Sequence, residues 1–72
     1  MPMTPVMAPM DGKILRVKAK VGDRVEEDDT IAIMEAMKME IQVIAPTAGT
    51  VVGIKVEPGQ AVDPDTVIAI LE

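Results

Sequence analysis

An internal repeat constrains the fold of this chain more than any other feature of its sequence. Aligned with itself at an offset of 37 residues, the sequence matches 6–35 with 43–72 without a gap, and 12 of the 30 aligned positions are identical. A compact domain made of two copies of one unit is often arranged about a pseudo-twofold axis. We therefore expect residues 1–72 to form one domain whose halves superpose by a rotation near a half turn. The first and last strands should then pair, with both chain ends opposite residue 38.

Turn-forming residues divide each half into runs of strand length. Gly or Pro interrupts nearly every window long enough for a helix, and no run shows sustained helical periodicity. The predicted strands cover residues 3–7, 13–20, 24–25, 30–35, 39–44, 50–57, 61–62 and 67–71. The predicted class is all-β, and strands this short bury their apolar faces only between two packed sheets or in one closed sheet. Residues 1–5 precede the repeat and are interpreted as a flexible tail or a remnant of expression, although the symmetry argument extends the first strand over 3–7.

The composition excludes several classes of activity. The chain has no cysteine, histidine or serine, so it can form neither a disulfide nor a Ser-His or Cys-His nucleophile. The acidic residues lack the spacing of a calcium loop, and we expect no metal site. The sequence therefore predicts a protein without catalytic residues of its own, a non-enzyme.

Charge and hydropathy exclude two kinds of partner. The net charge is −5 and no aromatic side chain is available to stack on a base, so nucleic acid is not an expected ligand. The longest aliphatic run, 67–71, is far too short to cross a bilayer, and the residues before the repeat lack the basic flank and apolar core of a signal peptide. We expect a cytoplasmic protein with no direct membrane insertion, associated with a membrane only through partner subunits. The glycines and prolines are interpreted as turn formers, and the acidic clusters as solvated loop charge.

The segment Glu35–Glu40, in which Lys38 lies between two methionines, joins the two copies of the repeat. The strand-like runs on either side predict a β-hairpin with Met37 and Lys38 as its two turn residues. The opposing pairs are then Ala36 with Met39, Glu35 with Glu40, Met34 with Ile41, Ile33 with Gln42, and Ala32 with Val43. One face of this hairpin is wholly apolar, and the other places two glutamates opposite each other. Two-residue turns usually contain Gly or Asn because they need positive φ, so this turn is unusual and suggests a functional constraint.

Two interpretations of Lys38 follow from the residues alone. A lysine on an exposed turn is ordinarily a solvated charge. Methionines on both sides favour a contact surface instead, because exposed apolar side chains add nothing to solubility and flexible methionine is common where several partners bind. In the predicted register Met39 lies toward the apolar face and is partly packed, whereas Met37 lies in the turn.

These residues resemble the biotinyl domain, the biotin carboxyl carrier module of biotin-dependent carboxylases and decarboxylases in the biotinyl/lipoyl attachment superfamily. The attachment motif is matched by Ala36-Met37-Lys38-Met39, with Glu35 before it and Glu40 after it. Further landmarks are Ala8-Pro9 with Gly12, Val21-Gly22-Asp23 with Val25, Ala45-Pro46 with Gly49, and Pro58-Gly59 with Val62. The resemblance implies a flattened barrel-sandwich hybrid of two four-stranded antiparallel sheets, with the biotinyl lysine on an exposed hairpin.

By the same resemblance, a biotin protein ligase would attach biotin to Lys38 through an amide. The flanking residues Glu35, Ala36, Met37 and Met39 would serve recognition by the ligase and by partner enzymes. Biotin would then carry a carboxyl group between biotin carboxylase and carboxyltransferase or decarboxylase sites, in subunits or domains of one complex.

Two departures and two alternatives accompany the resemblance. Family members commonly have glycine at the positions of Asp28 and Asp65, and aspartate tolerates the left-handed conformation such turns require. No thumb insertion separates Gly12 from Gly22, which favours a thumbless carrier. The alternatives are a lipoyl carrier domain, which typically has aspartate before its lysine and alanine after it, and an unmodified interaction module that presents the hairpin to a partner.

Overall fold

The computed structural model describes residues 3–72, and that part of the chain contains strands and turns without any helix. No helix there is long and apolar enough to cross a membrane. The eight strands are β1 (Thr4–Met7), β2 (Gly12–Val17), β3 (Arg24–Val25), β4 (Thr30–Ala36), β5 (Met39–Ile44), β6 (Gly49–Ile54), β7 (Ala61–Val62) and β8 (Val67–Leu71). The all-β prediction is confirmed.

The strands form two four-stranded antiparallel sheets with equivalent strand orders, β1-β8-β6-β3 and β5-β4-β2-β7. At the 37-residue offset of the repeat, β1 to β4 of the first copy correspond to β5 to β8 of the second copy. Each sheet contains two strands from each copy. The registers agree as well: Ile14 pairs with Met34 in one sheet, and Val51 pairs with Leu71 in the other. A bulge follows Ile14 and a bulge follows Val51. This topology has the twofold equivalence that the ungapped repeat predicted.

The inner faces of the two sheets form a core of aliphatic side chains and methionine. The largest fully buried side chains are Ile14, Ile31, Met34, Ile68, Leu71, Val6, Val43 and Val51. No polar or charged side chain is buried within residues 3–72. Burial of apolar area, worth about 25 cal/mol per Å², therefore holds the sheets together without a polar network.

The first and last strands pair, as predicted. Thr4 lies opposite Leu71 and Val6 lies opposite Ala69. The N–H and C=O groups of Glu72 both bond to Thr50, at 2.9 Å each, in the sheet that does not contain Lys38. Because Thr4 and Pro5 belong to β1, the interpretation of 1–5 as a tail is wrong for those two residues. Residues 1 and 2 lie outside the described part of the chain.

The predicted strands 13–20 and 50–57 are too long at their carboxyl ends. β2 ends at Val17 because the N–H groups of Lys18 and Ala19 both donate to the carbonyl oxygen of Ile31, at 2.8 and 3.1 Å. Two donors sharing one acceptor break the regular ladder. In the other copy β6 ends at Ile54, and the N–H of Lys55 donates to the carbonyl oxygen of Ile68 at 2.9 Å.

Several acidic side chains close the turns between strands. Asp23 Oδ2 accepts a hydrogen bond from the N–H of Lys20 at 2.9 Å, and Asp29 Oδ2 accepts one from the N–H of Glu26 at 2.8 Å. Aspartate often stabilises a turn through such a bond to nearby backbone. Asp28 has a φ of 74°, so it occupies the left-handed conformation. This conformation was expected because the family that the sequence resembles commonly has glycine at this position.

Candidate functional site

The β4–β5 hairpin has the register that the sequence predicted. Ala36 lies opposite Met39 and Glu35 lies opposite Glu40, and the pairing continues to Ala32 opposite Val43. The two residues between the strands, Met37 and Lys38, form the turn. Their φ values are 52° and 66°, so both occupy the left-handed region. Positive φ at both central residues is the requirement of a type I′ turn, whose twist matches that of the strands it joins.

This turn is built without the residues that tolerate it best. A non-glycine residue in the left-handed region costs on the order of 1 kcal/mol or more, and Met37 and Lys38 are adjacent. Among residues 3–72 the only other non-glycine residue with positive φ is Asp28, whose short polar side chain tolerates it. The paired strands impose the turn geometry, and the backbone strain is concentrated at the residue that the sequence singled out.

The side chains at the tip point away from the core. Met37 is 82% exposed, Met39 is 65% exposed, and Lys38 is exposed as well. Glu35 is exposed on the outer face, whereas Ala36 is 4% exposed and anchors the end of β4. The expectation of partial packing for Met39 is wrong, because this side chain is mostly exposed although Ala36, which lies opposite it, is buried.

The outward glutamate pair is flanked by positive charge from β2. Lys13 lies directly opposite Glu35 on the side away from Glu40. Arg16 Nη2 lies 3.8 Å from Glu40 Oε1, and both side chains are mostly exposed. Cross-strand charge pairs of opposite sign offset the repulsion between like charges, although exposed pairs contribute little each. Sequence reasoning missed both residues, because the pairing of β2 with β4 was not predicted.

Gly12 supports the hairpin from β2, and sequence reasoning missed this role. A Cβ atom added at Gly12 would clash with the carbonyl oxygen of Glu35 and would lie 2.5 Å from Met34 Cε and 3.2 Å from Ala36 Cβ. The absence of a side chain therefore allows β2 to approach the end of β4. The turn-former interpretation holds for Gly22 and Gly59, whose φ values are 98° and 90°, but not for Gly12.

The chemistry available at this site is that of an exposed primary amine. Within residues 3–72 the ion pair joins Arg16 and Glu40, and Lys38 is not part of it. An amine with open space around it can form an amide with a carboxylic acid, and the neighbouring thioethers present an apolar surface without competing charge. These features fit the carboxyl-terminated side chain of biotin. The other predicted residues, Glu35, Ala36, Met37 and Met39, lie within two positions of the turn and are brought together with Lys38.

The two sheets are related by the twofold repeat, and one hairpin exposes a lysine at its turn. This combination is typical of small β-sandwich domains that carry a cofactor on a hairpin lysine. The family model described as biotin-requiring enzyme matches residues 4–71. The chain belongs to this family, whose cofactor is biotin.

Relatives and solved structures agree with this assignment. The 2-oxoglutarate carboxylase large subunit of Hydrogenobacter thermophilus is 56% identical over 36 residues, which are 50% of this chain and 6% of that protein. The glutaconyl-CoA decarboxylase subunit gamma of Acidaminococcus fermentans is 54% identical over 39 residues, 54% of this chain and 27% of that protein. The crystal structure of Kluyveromyces lactis urea carboxylase has a TM-score of 0.93 at 30% identity, and the match covers 100% of this chain and 6% of that one.

This chain thus spans between 6% and 27% of the length of these two curated relatives. A biotin carboxyl carrier protein from Streptococcus mutans is also similar, at 51% identity over 37 residues, covering 51% of this chain and 28% of that protein. Together these homologues support a biotin carboxyl carrier role.

Proposed function

We propose that Lys38 carries biotin, joined to its Nζ atom through an amide, and that the domain delivers this group to separate active sites. The observation that carries the proposal is the turn itself. The only lysine among residues 3–72 with positive φ lies between two exposed methionines, at the end of a hairpin paired without interruption from the pair of Ala36 and Met39 to the pair of Ala32 and Val43. Membership in the biotin-requiring family identifies the chemistry that such an amine would take up.

Lys38 would hold the cofactor, and bound biotin would supply a ureido nitrogen able to carry a carboxyl group. The chain supplies position and reach. The paired strands hold the Lys38 backbone in one conformation, so the long side chain extends from a fixed point toward solvent. A tethered group has a high effective concentration at every site within its range, without any further contact. Since the sequence has no serine, cysteine or histidine and so no Ser-His or Cys-His pair, we propose that the domain is non-catalytic and that its partners perform the chemistry.

The proposed partners are a biotin protein ligase, which attaches the cofactor, and the carboxylase and carboxyltransferase or decarboxylase sites that use it. The similarity to carboxylase and decarboxylase subunits supports the second group. We also propose a cytoplasmic location, with contact to a membrane only through partner subunits. Cell fractionation followed by detection of protein-bound biotin would test the location.

Intact mass after co-expression with a biotin ligase or a lipoyl ligase tests the proposal against its alternatives. We expect the mass of one biotinyl group to be added by the first enzyme and no group by the second. Addition of a lipoyl group would support a lipoyl carrier domain. An unchanged mass with both enzymes would support an unmodified interaction module.

Replacing Met37 with alanine should slow recognition by partner enzymes without weakening the fold. Met37 is 82% exposed, so the substitution removes a flexible apolar contact and leaves the core intact. We expect the free energy of unfolding to change by less than about 0.5 kcal/mol. Carboxylation or carboxyl transfer per biotinylated molecule should fall. Transfer rates and unfolding midpoints of variants with equal biotin content provide the measurement.

Met39→Ala is the matched control for stability. Because Met39 is 65% exposed, its truncation should also change the free energy of unfolding by less than about 0.5 kcal/mol. A Met37→Ala protein that is turned over at the wild-type rate in both half-reactions would show that this methionine contributes nothing to partner recognition.

A further inference from the structure

The methionines among residues 3–72 differ widely in exposure, and the two most exposed of them flank Lys38. Met37 is 82% exposed and Met39 is 65% exposed, whereas Met34, three residues before the turn, is completely buried. Met3, which precedes β1, is 60% exposed, and Met7, at the end of β1, is 39% exposed. Oxidation of a thioether requires contact between its sulfur and the oxidant, so exposure determines which methionine reacts. The tip of the hairpin is therefore the most accessible thioether surface among residues 3–72.

We propose that Met37 and Met39 form an oxidation-sensitive modification site that controls the acceptance of Lys38 by its partner enzymes. The oxidant is a peroxide. The thioether sulfur attacks one peroxide oxygen, the O–O bond breaks, and an S–O bond forms. Sulfur loses two electrons and becomes a sulfoxide, while hydrogen peroxide is reduced to water. The reaction leaves the Lys38 amine unchanged.

The position of these two side chains explains why the modification should affect recognition and not folding. Met37 lies in the left-handed turn and Met39 directly follows it, and both side chains are mostly exposed to solvent. A sulfoxide is polar and carries a strong acceptor oxygen, so it disrupts an apolar contact made by methionine. The core methionine, Met34, is shielded by both sheets and should remain reduced. The inference rests on the proposed function, because it concerns the enzymes that recognise Lys38.

The experiment uses the unmodified chain, since biotin contains a thioether of its own. The protein is treated with hydrogen peroxide, quenched, and mapped by peptide mass spectrometry. We expect Met37, Met39 and the comparably exposed Met3 to oxidise before Met7, and Met34 to remain reduced while the unfolding midpoint is unchanged. The initial rate of biotinylation by a biotin ligase should then fall by at least about fivefold, because both contacts beside the lysine become polar. Treatment with methionine sulfoxide reductases should restore it.

Two double variants separate the tip from the other exposed methionines. Met37→Leu with Met39→Leu keeps apolar side chains but removes the reactive sulfur, so its biotinylation rate should not respond to peroxide. Met3→Leu with Met7→Leu should remain as sensitive as the wild type. Oxidation of Met37 and Met39 without a change in rate, or loss of rate that persists in the first variant, would overturn the inference. Failure of the ligase to modify the untreated wild-type chain would instead overturn the proposed function.

Discussion

Replacing Lys38 with arginine is expected to abolish biotin labelling completely. Arginine keeps the positive charge and similar reach, but its guanidinium remains protonated in proteins and does not supply the free amine that an amide requires. Lys38 is exposed and takes no part in the core, so the free energy of unfolding should change by less than about 0.5 kcal/mol. Streptavidin detection and intact mass after incubation with a biotin ligase measure the first effect, and thermal unfolding measures the second.

The remaining lysines provide controls within the same chain. Lys13, Lys18, Lys20 and Lys55 lie on or beside strands, and all four are exposed. Lys13→Arg and Lys55→Arg should therefore be labelled at Lys38 as efficiently as the wild type. Biotin found on the Lys38→Arg protein, or on any other lysine of the wild type in a peptide map, would refute the assignment.

The hairpin register could be predicted because two independent patterns agree on it. Alternation along residues 32–36 and 39–43 places small and aliphatic side chains on one face, and a slip by one residue would turn that face toward solvent. The repeat adds a second constraint, since the equivalent strands at the chain ends must pair in the same way. Val43 opposite Ala32 corresponds to Val6 opposite Ala69, and the structure contains both pairs.

Features that depend on contacts between distant strands could not be predicted in the same way. The charges of Lys13 and Arg16 beside the glutamate pair follow from the pairing of β2 with β4, which local patterns do not specify. The exposure of Met39 does not follow from the alternation of its own strand, which places it on the same face as the buried Val43. The carboxyl end of β2 depends on the acceptor that Lys18 and Ala19 share.

The repeat also explains why a turn of this kind occurs at one end of one sheet and not at the equivalent end of the other. The hairpin turn at Met37 and Lys38 exists only where one copy continues into the next. At the symmetry-related place, β8 pairs with β1, and these strands contain the two ends of the described chain instead of a turn. The equivalent ends of the two sheets therefore differ. One end has the turn that exposes Lys38, and the other has the first and last strands of the described chain. A tether attached at the second end would leave Lys38 free to reach its partners.

Gly12→Ala should lower the free energy of unfolding by about 3 kcal/mol, the upper part of the usual range for overpacking. The new methyl group would clash with the carbonyl oxygen of Glu35, which belongs to the backbone of β4 and cannot rotate away. Met34 Cε, at 2.5 Å, would also have to move inside a filled core. For a domain of this size such a loss corresponds to a melting temperature lower by at least about 10 °C. Because the displaced segment leads directly into the turn, labelling of Lys38 in the folded fraction should also slow.

The two copies of the repeat supply graded controls for this prediction. Gly49 is the equivalent of Gly12, and a Cβ atom there would lie 3.0 Å from the carbonyl oxygen of Glu72, so Gly49→Ala should destabilise less. Gly53 lies in the same strand but has only ordinary contacts, the nearest at 3.6 Å, and its equivalent in the other copy is Arg16. That position accepts a side chain, and Gly53→Ala should change stability by less than about 0.5 kcal/mol. Equal melting temperatures for the Gly12 and Gly53 variants would show that β2 can move away from β4, and that close approach at Gly12 does not support the hairpin.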